Sequence, residues 1–227
     1  MTQYTDTEVY YVSYGWGTGG SFVSSLLHDF LFGIEEIIPF SKEGNSHKRA
    51  SKCYKNWHVT EEYSKPVIKR PIGPVYNHVC PINKDIPLII FDHFFPVLDD
   101  LFSTYPKCKL IIISSTPQDA QRIRGNIFYK IFRDVGMKTE LEFDKNQPNM
   151  VKLAGEFMNV DIKCPEQYSK NVNVLPMYDI IHNKMKTLNL LSQVTNKPIT
   201  EKIVETYDKY IEAQEELVRT KMPWVTV

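Results

Sequence analysis

Glu8-Val-Tyr-Tyr-Val-Ser-Tyr14, Gly15-Trp-Gly-Thr-Gly-Gly-Ser21 and Phe22-Val-Ser-Ser-Leu-Leu-His-Asp-Phe-Leu-Phe32 follow one another without a break. The first piece is short and rich in β-branched and aromatic residues, which predicts a buried strand. The third places Phe22, Val23, Leu26, Leu27, Phe30 and Leu31 at helical spacing, which predicts an amphipathic helix. Between them Gly15, Gly17, Gly19 and Gly20 crowd into a single turn with Thr18 and Ser21. A strand, a glycine-rich turn and a helix N-terminus make an anion cradle, because consecutive backbone N–H groups and the positive end of the helix dipole face the same space. The other reading is a tight strand-to-helix turn whose glycines only permit positive φ.

The turn is a partial match to a Walker loop. Gly15 and Gly20 have its G-x-x-x-x-G spacing, but Ser21 stands where the Lys belongs and Phe22 where the Ser or Thr belongs. An ordinary ATP or GTP hydrolase is therefore disfavoured. Trp16 is placed either to stack on an adenine or to cover the turn.

Two further apolar runs, Ile86-Pro-Leu-Ile-Ile-Phe91 and Lys109-Leu-Ile-Ile-Ile113, predict buried parallel strands. Asp92 and His93 follow the first, with a short helix expected from Phe94 to Phe102. Ser114-Ser-Thr-Pro-Gln-Asp119 follows the second and starts a helix: Thr116 as N-cap, Pro117 in the first turn, Asp119 three residues after the cap. That helix carries Ile123, Ile127, Ile131 and Val135 on one face and stops at Gly136. Further helices are expected over residues 148–159, 178–193 and 200–220, with a strand over 171–176. Strands alternating with helices imply a three-layer α/β sandwich, a central parallel sheet flanked by helices. Ligands of such sheets sit beyond the C-terminal strand ends, so the glycine turn, Asp92-His93 and residues 114–119 should converge on one cleft.

The 227 residues suit a single domain, and 42% hydrophobic residues suffice for a core. Residues 41–85 break the pattern: they are polar and mixed, with scattered prolines and aromatics and the basic clusters His47-Lys-Arg49 and Lys69-Arg70. A long irregular stretch in a compact domain is usually functional or disordered, and this one is expected to shape an acceptor pocket. Formal net charge is zero, so no global basic field argues for nucleic acid. No apolar stretch is long enough to span a bilayer. The polar N-terminus does not read as a signal peptide. Cys53, Cys80, Cys108 and Cys164 are widely spaced with no C-x-x-C, which predicts reduced thiols in a cytoplasmic protein and no metal.

Three pieces in order resemble the sulfotransferases, the family that uses 3′-phosphoadenosine 5′-phosphosulfate (PAPS). Thr18-Gly-Gly-Ser-Phe22 resembles the family's 5′-phosphosulfate loop, K/R-S-G-T-T. Phe91-Asp-His-Phe-Phe-Pro96 resembles its K-T-H-x-P strand end, which carries the catalytic histidine. Tyr105-Pro-Lys-Cys-Lys-Leu-Ile-Ile-Ile-Ser-Ser-Thr-Pro-Gln-Asp119 is similar to its 3′-phosphate segment, P-x-x-K-I-I-Y-V-x-R-N-P-x-D.

The resemblance implies a P-loop NTPase-like fold of the sulfotransferase type. PAPS would be the cofactor and His93 the general base. Gly15, Trp16, Gly17, Thr18, Gly19, Gly20, Ser21 and Phe22 would hold the 5′ end. Thr18 stands where the family has a cation, Ser115 aligns with its 3′-phosphate Arg, and Ile123 with its partner Ser. Arg122 and Arg124 are the nearby cations that could substitute, with Lys152, Lys184 and Lys186 further candidates. The reaction implied is sulfuryl transfer to a hydroxyl or amine of a small-molecule or glycan acceptor. Two other functions fit the residues. One is a catalytically silent member of the fold, serving as a binding or structural subunit of a larger assembly. The other is a kinase with a degenerate P-loop, for which the Lys after Gly20 and an Asp-rich magnesium strand are missing.

Overall fold

The computed structural model describes residues 6, 8–15, 17–34, 87–92, 95–135 and 164–221. Within them β1 (Val9–Tyr14), β2 (Leu88–Asp92), β3 (Cys108–Ser114) and β4 (Val172–Pro176) form one parallel sheet in the order β2-β1-β3-β4. Val9 pairs with Leu88 on one side and Cys108 on the other; Leu110 pairs with Val172. The three expected strands are neighbours and parallel, and the chain is an α/β fold with helices flanking the sheet.

Both faces of β1 are buried. Tyr10, Val12 and Tyr14 point to one core together with Ile111 and Ile113. That core is closed by α1 (Gly20–Phe32), α3 (Ala120–Val135), α4 (Met177–His182), α5 (Lys184–Thr195) and α6 (Glu201–Lys221). Val9 and Tyr11 point the other way, with Ile90, Leu110 and Ile112, onto Leu101 and Phe102 of α2 (Leu98–Thr104). A strand with two buried faces has no polar face to show, which is why it reads as a continuous apolar run. Full burial of one such side chain contributes roughly 1.5–3 kcal/mol.

Several element ends differ from expectation. The helix after β2 starts at Leu98, not Phe94, with Pro96 ahead of its N-cap Val97; the residue before a proline is pushed out of helical geometry. Thr116 and Asp119 form the expected capping box, but around a single 3-10 turn that leads into α3. The helix expected over 178–193 is two helices parted at Asn183, whose φ of −127° and ψ of 63° are not helical. The Asn183 amide still closes the last turn onto the Asp179 carbonyl at 3.0 Å, and its side-chain Nδ2 donates to Asp179 Oδ1 at 2.6 Å, so Asn183 ends one helix and caps the next. The helix expected over 148–159, the stop at Gly136 and the segment 41–85 lie outside the described residues.

At the N-terminal edge of the sheet one carboxylate ties three elements together. Glu8 Oε1 accepts from the Tyr10 hydroxyl at 2.7 Å and from Lys109 Nζ at 3.0 Å, and Lys109 also donates to the Val194 carbonyl at 2.7 Å. Partial burial pushes the Glu8 carboxyl up, but the hydrogen bonds from Tyr10 and Lys109 and the Lys109 charge outweigh it and hold it below its ordinary value. A carboxylate lowered in the folded state adds stability above its unfolded pKa, and that stability is lost as pH falls through the lowered value. Glu8→Gln should therefore flatten the loss of stability on acidification below about pH 4.5. Denaturant titrations at a series of pH values check this; an unchanged acid limb would count against the network.

Candidate functional site

The register lines the C-terminal strand ends up. Ser13 pairs with both Asp92 and Ile112, and Ser114 with Pro176. The glycine turn and the segment from Ser115 to Asp119 therefore leave the same edge of the sheet. His93 and Trp16 lie outside the described residues.

The turn is built from the inside. The Thr18 hydroxyl donates to the Gly15 carbonyl at 2.8 Å, and the Thr18 amide reaches the same oxygen at 3.4 Å. Thr18 is 1% exposed, so its side chain braces the turn from within. Gly17 and Gly19 have φ of 78° and 89°, the left-handed region that glycine enters without a steric cost. Gly19 is the N-cap of α1, and its carbonyl accepts from the Phe22 and Val23 amides at 3.0 and 3.1 Å. The Gly20 and Ser21 amides precede these first ladder bonds. No acidic residue stands in the first turn of α1, so no side chain of the helix itself offsets its positive end.

Neighbours exclude a side chain at Gly17 and Gly20, whereas at Gly19 the positive φ alone favours glycine. A Cβ on Gly17 would sit 2.9 Å from the Ile123 carbonyl, and the Gly17 carbonyl accepts from Asn126 Nδ2 at 2.8 Å. A Cβ on Gly19 would meet the Tyr210 hydroxyl at 3.5 Å and Ile180 at 3.8 Å. A Cβ on Gly20 would overlap the root of the Tyr14 ring. The turn is thus clasped by α3 on one side and roofed by α4 and α6 on the other.

Arg122 is the cation in this clasp. It lies on α3 beside Ile123 and is only 9% exposed, and its Nε has no hydrogen-bond partner. Burial pulls its pKa down, opposed by Tyr210, Glu215 and Asp119. Ile123, the next residue along α3, has its carbonyl against Gly17, and Tyr210 lies over Gly19. Burial in turn raises the Tyr210 phenol, so it stays a donor. A buried cation with an unfilled donor is costly unless an anion completes it.

The other expected site residues divide. Ser115 is buried at the end of β3, 3% exposed, and Arg124 is half-buried on α3; each has a partner of its own. Ser21 is buried, its hydroxyl 3.5 Å from that of Tyr14. The Phe22 ring is fully buried, stacked on Tyr210 at 3.6 Å between centroids, and its amide donates to the Gly19 carbonyl. Lys184 pairs with Asp208 and Lys186 with Asp179, each at 2.7 Å. Lys152 lies outside the described residues. Tyr14, Asn126 and Tyr210 escaped the sequence reading as site residues. Tyr14 ends a strand, Asn126 sits between core isoleucines and Tyr210 is a core position by its helical period, so none carried a signal of its own.

Among the described residues no cluster of three or more His, Cys, Asp or Glu could hold a metal ion. No helix of the described residues is long and apolar enough to cross a membrane. A cavity of about 580 Å³ lies at the opposite, N-terminal edge of the sheet, lined by Asp6, Glu8, Lys107 and Lys109 among others. Its charges are paired within it, Lys107 with Asp6 and Lys109 with Glu8.

No protein-family model matches the sequence, and no curated protein matches it. Among solved structures, sulfotransferase STF1 from Mycobacterium tuberculosis aligns over 94% of this chain and 77% of its own, with a TM-score of 0.41 and 10% sequence identity. The fold assignment above rests on the sheet's own order and register.

Proposed function

We propose that the chain binds the 5′ phosphosulfate end of PAPS at the glycine turn and transfers the sulfuryl group to a hydroxyl or amine of an acceptor. The observation that carries the binding step is Arg122: a nine-tenths buried arginine with an unpartnered Nε, on the helix that packs against a turn whose own helix has no acidic residue in its first turn. It supplies the cation that Thr18 does not. When bound, PAPS brings an activated sulfuryl group. The chain's own residues have three tasks: the Gly20 and Ser21 amides and Arg122 hold the anion, Ser115 and Arg124 face the 3′-phosphate, and His93 takes the proton from the acceptor. The acceptor oxygen or nitrogen forms the new bond to sulfur, the bond from sulfur to the 5′-phosphate oxygen breaks, and adenosine 3′,5′-bisphosphate leaves. Donors preset where charge builds on the leaving oxygen are worth the most here, since they need no reorganisation during the reaction.

A second reading is favoured by a different observation. Gly17 and Gly20 each have a packing reason to be glycine, and Gly19 a backbone one, and none of these involves a ligand. The same turn would then serve a catalytically silent subunit of a larger assembly.

Thermal unfolding separates the two. Adenosine 3′,5′-bisphosphate at a hundredfold excess over its Kd should add about 2.7 kcal/mol, a rise of roughly 5–10 °C in Tm for a chain of this size. Arg122→Met should remove that rise. Its own unfolding temperature should hold or increase, because an apolar side chain of similar length replaces an incompletely paired buried charge. No shift in the wild-type chain would leave the silent reading standing.

A further inference from the structure

We propose that Asp179 is a positioning residue for the glycine turn: its buried carboxylate latches α4 to α5 and, through Ile180, holds Gly19 in place. The inference concerns the turn itself; its consequence for a ligand rests on the nucleotide-binding reading above. Asp179 is the third residue of α4, and its side chain is 3% exposed. Its Oδ1 accepts from Asn183 Nδ2 at 2.6 Å, across the joint where α4 ends and α5 begins. Its Oδ2 has no hydrogen-bond partner and meets the Lys186 ammonium, 2.7 Å away, from the third residue of α5. One buried carboxylate therefore spans the joint, and its counter-charge comes from a side chain that is 68% exposed.

The next residue of α4 carries this link to the turn. Ile180 is fully buried and lies over Gly19, its Cγ2 3.8 Å from where a Cβ would stand. Its carbonyl accepts from the Tyr207 hydroxyl of α6, which fixes the same residue from a second helix. Gly19 is the N-cap of α1 and has no side chain with which to cap it, so its placement depends on its neighbours. An exposed ion pair ordinarily contributes next to nothing. This pair differs because one partner is buried. Without Lys186 the carboxylate keeps a charge away from water with one hydrogen bond to serve it. It is relieved when α4 shifts it toward solvent, and that shift lifts Ile180 from Gly19.

Lys186→Met tests this at an exposed position, Lys186→Arg is the conservative variant that renews the pair, and Asp179→Ala removes the latch and frees the lysine. The first readout is hydrogen exchange at Phe22 and Val23, whose amides are bonded to the Gly19 carbonyl. The reference is the Leu110 amide, bonded to the Asn171 carbonyl across the sheet. Losing an interaction with a charged group corresponds to about 10- to 100-fold, so in Lys186→Met the Phe22 and Val23 amides should exchange faster by that factor. Leu110 should stay within about threefold, and Lys186→Arg should exchange as the wild type does. Equal acceleration at all three amides, or none at Phe22 and Val23, would overturn the inference. The second readout is the Kd of adenosine 3′,5′-bisphosphate by calorimetry. Binding should weaken about tenfold in Lys186→Met and in Asp179→Ala and recover in Lys186→Arg. Unchanged or tighter binding in Asp179→Ala, beside a loss in Lys186→Met, would mean that the lysine meets the ligand itself and would also overturn the positioning role. If the wild-type chain binds no nucleotide, the nucleotide reading falls, and the exchange result alone decides whether Asp179 positions the turn.

Discussion

Gly20→Ala is expected to unfold the protein far more readily than the wild type, by about 3–5 kcal/mol, although helix propensity alone forecasts the opposite. Gly20 opens α1, and its φ is not in the left-handed region. In such a position alanine ordinarily stabilises by about 0.5–1 kcal/mol relative to glycine. Here the added methyl group would overlap Cγ and both Cδ atoms of Tyr14. These atoms are the root of the ring, and Tyr14 is 2% exposed, so the ring has no free volume to swing into. Displacing it forfeits the burial of a large aromatic side chain, for which the cost is about 3–5 kcal/mol. Whole domains are stable by only about 5–15 kcal/mol, so the variant should lose a large share of its stability. Denaturant unfolding measures the change. The cause is checked in a Tyr14→Ala background, where the same substitution should become neutral or stabilising. A Gly20→Ala protein as stable as the wild type would mean that the Tyr14 ring does not sit against the turn.

His93→Ala is expected to cut turnover by about 100- to 10,000-fold, the range for removing a positioned general base. Nucleotide affinity should stay within about threefold, because the proton moves only on the way to the transition state and the base has no part in holding the 5′ group. His93 follows Asp92, the last residue of β2, and Asp92 pairs with Ser13 one residue before the strand passes into the glycine turn. The assay is sulfuryl transfer from PAPS across a panel of hydroxyl and amine acceptors, with nucleotide Kd measured in parallel. A loss under about tenfold in turnover, or a loss of affinity as large as the loss of turnover, would remove His93 from the role of base. Together with Arg122→Met the two variants separate binding from chemistry: one should lose affinity first, the other turnover.

The strand, the turn and the helix at the start of the chain were legible because each is set by near neighbours. The β-branched and aromatic residues of Val9–Tyr14, helical spacing in Gly20–Phe32 and the apolar runs of β2 and β3 are local signals, and local signals survive in a linear reading. The convergence of strand ends also followed, because a parallel sheet with crossover helices leaves little choice of topology. The break at Asn183 was not legible, since the apolar period runs through it and only the bond from Asn183 to Asp179 marks it. The pairing of Lys184 with Asp208 and of Lys186 with Asp179 was equally hidden. Both lysines are positive charges in the sequence, and only their neighbours in space show that they are already engaged.

The sequence by itself determined a parallel α/β sheet with a glycine-rich turn entering a helix, because propensity and periodicity act between residues a few positions apart. Tertiary structure alone decided what surrounds that turn. Asn126 reaches Gly17 from 109 residues away, and Tyr210 comes to Gly19 from the last helix. Arg122, which the sequence does not distinguish from Arg124 two residues on, became the buried one with an unfilled donor. Such pairings depend on how helices pack across the sheet, and packing is set by shape and volume summed over many residues. No spacing along the chain encodes them, so the composition of the turn could be read from the sequence and its chemistry could not.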